Sequence, residues 1–381
     1  MFSFSRENTS FIAKWWRNVD KQILFLFIFL FLLGLFFSFS STSSIVAEKM
    51  NKQTYFFFIK HFIFVIVSLF LFLSISIFNS NTLIRFLPFL FLISILLLCL
   101  VPLFGAEVKG SKRWLELPFF PRFQPIELVK PFFIVFVAKI ITLNDELNIY
   151  KRYFYSFLIL IFIVIFLVNQ PDLGQSLLLV SSWITIIFVS GFSMLILTIL
   201  VFLFLALVSL LIFFFTEKFG YIISRLKTFV DPKAGDNFQS EKALEAIKQG
   251  GLTGQGMGEG VLKEKVPEAH TDYIIAVISE EFGAIFVLFI MIIFLIIGYR
   301  VLNKVFLKQN EFIKLALVGL VSLLLIQAFI HIGVNIRLFP TTGMNLPFLS
   351  YGGSSLVGSA IIAGIILNFT KKNFIEYFKN E

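Results

Sequence analysis

The chain has 381 residues, of which 58% are apolar and only 14% charged, and its net charge is +9. A soluble domain carries about 25% charged residues, so this composition excludes a water-soluble globular fold. A single cysteine, Cys99, lies inside an apolar run and excludes both a disulfide framework and a thiolate metal site.

Crossing the hydrocarbon takes about 20 apolar residues. After a cytoplasmic segment, 1–22, apolar runs predict spans over 23–44, 56–78, 83–104, 125–143, 153–170, 173–190, 193–215, 273–298, 313–333 and 352–369. The first run is followed by further spans and shows no small-residue cleavage site, so it reads as a membrane helix and not a removable signal. The fourth is short in strictly apolar residues and contains Pro131 and Lys139, and only Gly191 divides the sixth from the seventh. The expectation is an all-α polytopic membrane protein of about ten transmembrane helices. A single transmembrane domain covers 23–369, a long extracytoplasmic loop, 216–272, joins the seventh and eighth spans, and a cytoplasmic tail covers 370–381.

Lysine and arginine near the ends of short loops face the cytoplasm. With both termini inside, that face holds Lys14, Arg17, Lys21, Arg85, Lys151, Arg152, Arg300, Lys304, Lys308, Lys371 and Lys372. The short segment 105–130 breaks the bias with Lys109, Lys112, Arg113, Arg122 and Lys130 on the opposite face. Such a basic outer loop points to a bound anionic group, or to side chains snorkelling into lipid headgroups.

Three polar or broken segments, 105–130, 216–272 and 335–355, fall on this one face. Irregular backbone at membrane depth is tolerated only where it is buried or lines a cavity, so the three predict a shared outward-facing cavity. The glycines at 250, 251, 254, 256, 258 and 260 lack the lysine and strand context of a nucleotide loop and read as a flexible, close-packing segment. Asp272 opens the eighth span at the mouth of this cavity and is the candidate acid or base, or else a helix-start charge favoured by the dipole. Glu280 and Glu281 lie deeper on other faces of the helix, where carboxylates usually bond within the protein. They read as structural, and Asp172 and Glu127 are similar acids at helix boundaries. His61, His270 and His331 show no metal-ligand spacing, and no metal site or nucleic-acid partner is expected.

The motifs then become specific. KGSKRWLEL at 109–117, QPIELVK at 124–130, QPDLGQS at 170–176, ALEAIKQGGLTGQGMGEG at 243–260, PEAHTDYIIAVISEEFG at 267–283 and LFPTTGMNLPFLSYGGSS at 338–355 span nearly the whole chain. Together they resemble the SEDS family (shape, elongation, division and sporulation proteins), its division members more closely than its elongation members. The resemblance implies an inner-membrane peptidoglycan glycosyltransferase with its active site towards the periplasm. It would polymerise lipid II in complex with a class B penicillin-binding protein and other divisome proteins. It implies Asp272 as the catalytic residue and Lys109, Lys112, Arg113, Gln124, Glu127, Asn335, Ser350, Gly352 and Gly353 as substrate-binding positions. Ile126 stands where the family motif has serine, and Arg337 adds a charge not expected there, either on substrate diphosphate or among headgroups. The chemistry leaves room for a divalent cation, Mg2+ or Mn2+, beside the phosphates, though no acidic cluster specifies a site. A lipid II flippase and a non-catalytic divisome scaffold are the rival readings.

Overall fold

The structure is a computed structural model that describes residues 10–41, 55–108, 111–116, 121–143, 148–214, 216–231, 237–262, 265–266 and 268–372. In chain order the elements are α1 (Phe11–Asn18), α2 (Lys21–Ser41), α3 (Phe56–Ile77), α4 (Ser80–Phe104), β1 (Gly105–Val108), β2 (Ser111–Leu115), α5 (Ile126–Ile141), α6 (Ile149–Asn169), α7 (Leu173–Val189), α8 (Met194–Phe214), α9 (Thr216–Val230), α10 (Phe238–Gly250), α11 (Ile274–Val305), α12 (Glu311–Asn335) and α13 (Gly353–Phe369).

Ten helices, α2 to α8 and α11 to α13, fall on the ten predicted spans. Among the described residues, α2, α3, α4, α6, α11 and α12 are each long and apolar enough to cross a membrane alone. By contrast α5, α7 and α13 have only 16 or 17 residues. Their shortness fits their position, because α5 and α13 are buried along nearly their whole length. Such helices meet protein, not lipid. Small residues let the inner helices approach, as bilayer packing requires. A methyl group on Gly319 of α12 would lie 2.6 Å from both Ile134 and Ile186, and one on Gly358 of α13 would lie 2.7 Å from the Glu127 carbonyl.

Polar groups sort to the two ends of the bundle. At one end Asp20 pairs with Arg300 (3.4 Å) and Lys304 (3.3 Å), and Lys308 Nζ donates to the Lys371 carbonyl (2.7 Å). There the Asn368 amide caps α3 by donating to Ile75 O (2.9 Å) and Phe78 O (2.8 Å), while Trp15 of α1 donates to Ser76 Oγ (2.8 Å). The other end carries the hairpin β1–β2, helices α9 and α10, and the irregular segment before α13.

The basic segment after α4 is an antiparallel hairpin that pairs Gly105 with Leu115 and Glu107 with Lys112, extended by a bridge from Leu115 to Phe123. The region expected as a long loop, 216–272, is substantially helical. Residues 336–352 form no helix, as their proline and glycine content predicts.

Candidate functional site

The site is organised by a break in α11. In an unbroken helix the N–H groups of Ala284 and Ile285 would donate to the carbonyls of Glu280 and Glu281. Gly283 adopts φ 82° and ψ 172°, which opens that turn. The glycine-rich segment after α10 closes it from the side. Ala284 donates to Gly251 O (2.9 Å) and Ile285 to Leu252 O (3.2 Å), while the Glu280 and Glu281 carbonyls accept from Gln255 (2.9 Å) and Gly256 (3.0 Å). All four groups released by the break are thus paired, as a buried backbone requires. The approach is too close for side chains: a Cβ on Gly250 would lie 1.9 Å from Ser279 O, and one on Gly254 2.2 Å from Glu281 O.

Both buried carboxylates bind the same segment. Glu280 Oε1 accepts from the Leu262 N–H (2.7 Å), and Glu281 accepts from the Gly258 N–H (3.3 Å) and from the Ser40 hydroxyl of α2. Their structural assignment fits this geometry. The glycine segment packs closely, as predicted, but its backbone is committed to fixed partners where flexibility was expected.

Asp272 stands just ahead of the half-helix that this clasp holds. The N–H groups of Thr271 and Asp272 both donate to Glu268 O at 3.1 Å, making a tight turn. Three outside groups fix it. Ser350 Oγ donates to Thr271 O (2.7 Å), Tyr351 N–H to His270 O (2.9 Å), and Asn335 Nδ2 to Asp272 O (3.1 Å). Asn335, fully buried at the end of α12, also accepts from the Ala276 N–H (3.3 Å). Asn335 and Ser350 therefore position the Asp272 backbone. Gly352 and Gly353 shape the start of α13, where a Cβ would meet Asn345 Nδ2 at 2.3 Å and the Phe64 ring at 2.5 Å.

Asp272 lines a cavity of about 120 Å³ with Arg225, Tyr273, His331, Thr341 and Thr342, and is the only carboxylate among the described lining residues. The Arg225 guanidinium of α9 donates to Thr341 O (3.2 Å), while His331 Nδ1 lies 2.6 Å from Met344 O. Arg225 is drawn down by burial first and by the Arg113 cation second. A second, wider cavity of about 420 Å³ shares Arg225, Val334 and Thr341 with the first and is also lined by Lys227 and Arg337.

The other predicted residues that the structure describes are not among those lining this cavity. Arg113 of β2 donates from Nε to Gln170 O (2.9 Å) and from Nη2 to Pro171 O, with Nη1 3.9 Å from Asp172. Asp172 caps α7 and accepts from Gln124 Nε2 (2.9 Å). Burial raises its pKa, opposed chiefly by Arg113. Glu127 pairs with Lys130 at 2.7 Å and accepts from Gln175 Nε2 (3.0 Å), and Lys130 Nζ donates to Gln327 Oε1 (3.2 Å). Glu127 thus belongs to a buried network, not to the wall of the Asp272 cavity. Lys112 is exposed on the hairpin, and Lys109 lies outside the described residues. Sequence reading passed over Arg225, His331 and Tyr273. A basic residue inside the amphipathic run TEKFGYIISRLKTFV was the available signal for Arg225.

Comparison with known proteins bears on this arrangement. Residues 21–374 match the FtsW/RodA/SpoVE family model, described as cell cycle protein. A probable peptidoglycan glycosyltransferase FtsW of Caulobacter vibrioides is 36% identical over 285 residues, covering 74% of this chain and 72% of that protein. The protein of the same name from Haemophilus influenzae is 31% identical over 293 residues, covering 74% and 73%. Among solved structures, a chain of a peptidoglycan synthase complex that coordinates polymerization and crosslinking superposes with a TM-score of 0.75 at 23% identity, covering 92% of this chain and 97% of that one. The rod shape determining protein RodA of Thermus thermophilus does so with a TM-score of 0.67 at 23% identity, covering 92% and 96%. At that identity the likeness establishes the fold.

Proposed function

The chain belongs to the FtsW/RodA/SpoVE cell cycle protein family, the SEDS family whose motifs it carries, and from that premise we propose that it is a peptidoglycan glycosyltransferase of the division type. It joins lipid II units into glycan strands at the outer face of the cytoplasmic membrane, with both termini in the cytoplasm. One observation carries the reading: among the described residues, Asp272 is the only carboxylate on the wall of a cavity shared with Arg225. A transfer that needs one base and one cation at the leaving group finds both there.

The acceptor sugar's 4-hydroxyl oxygen attacks the anomeric carbon of the donor, and its proton passes to the Asp272 carboxylate. The bond from the anomeric carbon to the diphosphate oxygen breaks, its electron pair leaving with the diphosphate. Diphosphate leaves as an anion, so no second carboxylate is required as acid, and single displacement inverts the anomeric centre. Among the described residues Asp272 is the lone carboxylate of the cavity wall, and no three His, Cys, Asp or Glu cluster. Were a divalent cation to take part, Asp272 would be the described wall residue able to hold it, and the ion would supply charge stabilisation for the leaving diphosphate.

The partner in this proposal is a class B penicillin-binding protein, the transpeptidase that crosslinks the strands, within the division complex. The buried Glu127–Lys130 pair would suit a lipid II flippase, but it is closed on Gln175 and Gln327. The test supplies lipid II to chain and partner in detergent, where no leaflets exist and a flippase has nothing to do. Glycan strands that fall by roughly a hundredfold or more with Asp272→Asn are expected for loss of a general base. Near-normal strands from that variant would sink the base assignment.

A further inference from the structure

The sequence motifs point to Lys109, Lys112 and Arg113 for the substrate's diphosphate. Of these, Arg113 already spends its guanidinium on two backbone carbonyls and Asp172. The wider cavity has a different character. Arg225, Lys227 and Arg337 line it, together with Ser224, Thr228 and Asn237, and none of the described lining residues is a carboxylate. Three cations facing one concave space form a strong anion attractor. Arg225 stands on the walls of both cavities, so an anion here abuts the Asp272 chamber.

Arg337 supplies an independent observation. Its φ is 58°, in the left-handed region that suits glycine and that other residues occupy at a cost of about 1 kcal/mol or more. An arginine held against that cost, on the wall of a cationic cavity, points to a use for its charge. The neighbourhood also suits a lipid-tailed ligand. Ile336, Leu338 and Val230 are exposed apolar side chains next to cavity residues, and Phe339 of the wall packs at 5.4 Å on the exposed Phe329.

We propose that Arg225, Lys227 and Arg337 form the subsite for the leaving diphosphate of the polyprenyl-linked donor, with the sugar in the Asp272 cavity and the tail passing out over Ile336 and Leu338. This inference rests on the glycosyltransferase reading and names the subsite that the reading requires. A phospholipid headgroup offers related phosphate chemistry, so the test separates the two.

Arg337→Gly is the informative variant, because it removes the whole side chain with its charge while giving the left-handed position its preferred residue. Full chain with its transpeptidase partner is assayed in detergent for lipid II binding and, separately, for strand formation. Lipid II affinity is expected to fall by roughly tenfold or more, as for loss of a charged hydrogen bond. Arg337→Lys should recover part of it, and Lys265→Gln, away from both cavities, should match wild type. Inorganic pyrophosphate should displace labelled lipid II from the wild type far better than from Arg337→Gly. Wild-type affinity in Arg337→Gly would overturn the assignment, and so would displacement by phosphatidylglycerol as effective as by pyrophosphate. The two readings fail differently. Lipid II bound without strand formation by the wild type counts against the enzyme, and active wild type with an unaffected Arg337→Gly counts against the subsite alone.

Discussion

At the scale of single residues, Asp272 is held by its backbone. The carbonyls of His270, Thr271 and Asp272 each accept a hydrogen bond from a different part of the segment 335–351. Asn335 does the most, since its one amide ties Asp272 O, His331 O and the Ala276 N–H together. Replacing it with alanine leaves buried partners unsatisfied, a cost of about 1–3 kcal/mol, and frees the turn. We expect Asn335→Ala to lower kcat by roughly tenfold with little change in KM, because positioning acts on the transition state more than on binding. Saturation kinetics with lipid II check this, and an unchanged kcat would reduce Asn335 to an ordinary helix end.

At the scale of elements, the half-helix after Asp272 depends on a segment some 30 residues before it in the chain. Two alanine substitutions separate close packing from backbone conformation. Gly254 has φ 79° and no space, its Cβ falling 2.2 Å from the Glu281 carbonyl. Gly258 has φ 86° with nothing within 4 Å. Gly258→Ala should cost about 1–2 kcal/mol, the left-handed penalty alone. Gly254→Ala should cost clearly more, because neither backbone can yield without parting the clasp. Thermal unfolding in detergent is the measurement, and equal midpoints for the two variants would mean the clasp is not rigid. Glycine spacing alone shows none of this, since the partner carbonyls lie in another element.

At the scale of the molecule, the two polar ends predict a topology. In a cysteine-free background made with Cys99→Ala, a cysteine at exposed Lys112 should react with an impermeant thiol reagent added outside intact cells. A cysteine at Lys304 should react only after the membrane is opened. The reverse pattern would invert the orientation and put Asp272 on the wrong side for lipid II polymerisation.

Much of this architecture was legible in the chain itself. Whether a segment can cross a bilayer depends on its own length and apolarity, because every backbone group there must pair within its own helix. The ten bundle helices therefore emerged from local runs, six of them long and apolar enough to span alone, and Asp272 appeared as the acid at the start of one of them. The tertiary structure decided what depends on separate segments meeting. It placed Arg225 of a helix read as loop, Thr341 of an irregular segment and Asp272 around one cavity. It turned Arg113, Gln124 and Glu127 towards the first turns of α7 and the buried network, and it joined the glycine run to the break at Gly283. The physical reason is that desolvation and hydrogen-bond completion act between groups close in space. The positions of those groups along the chain carry no distance.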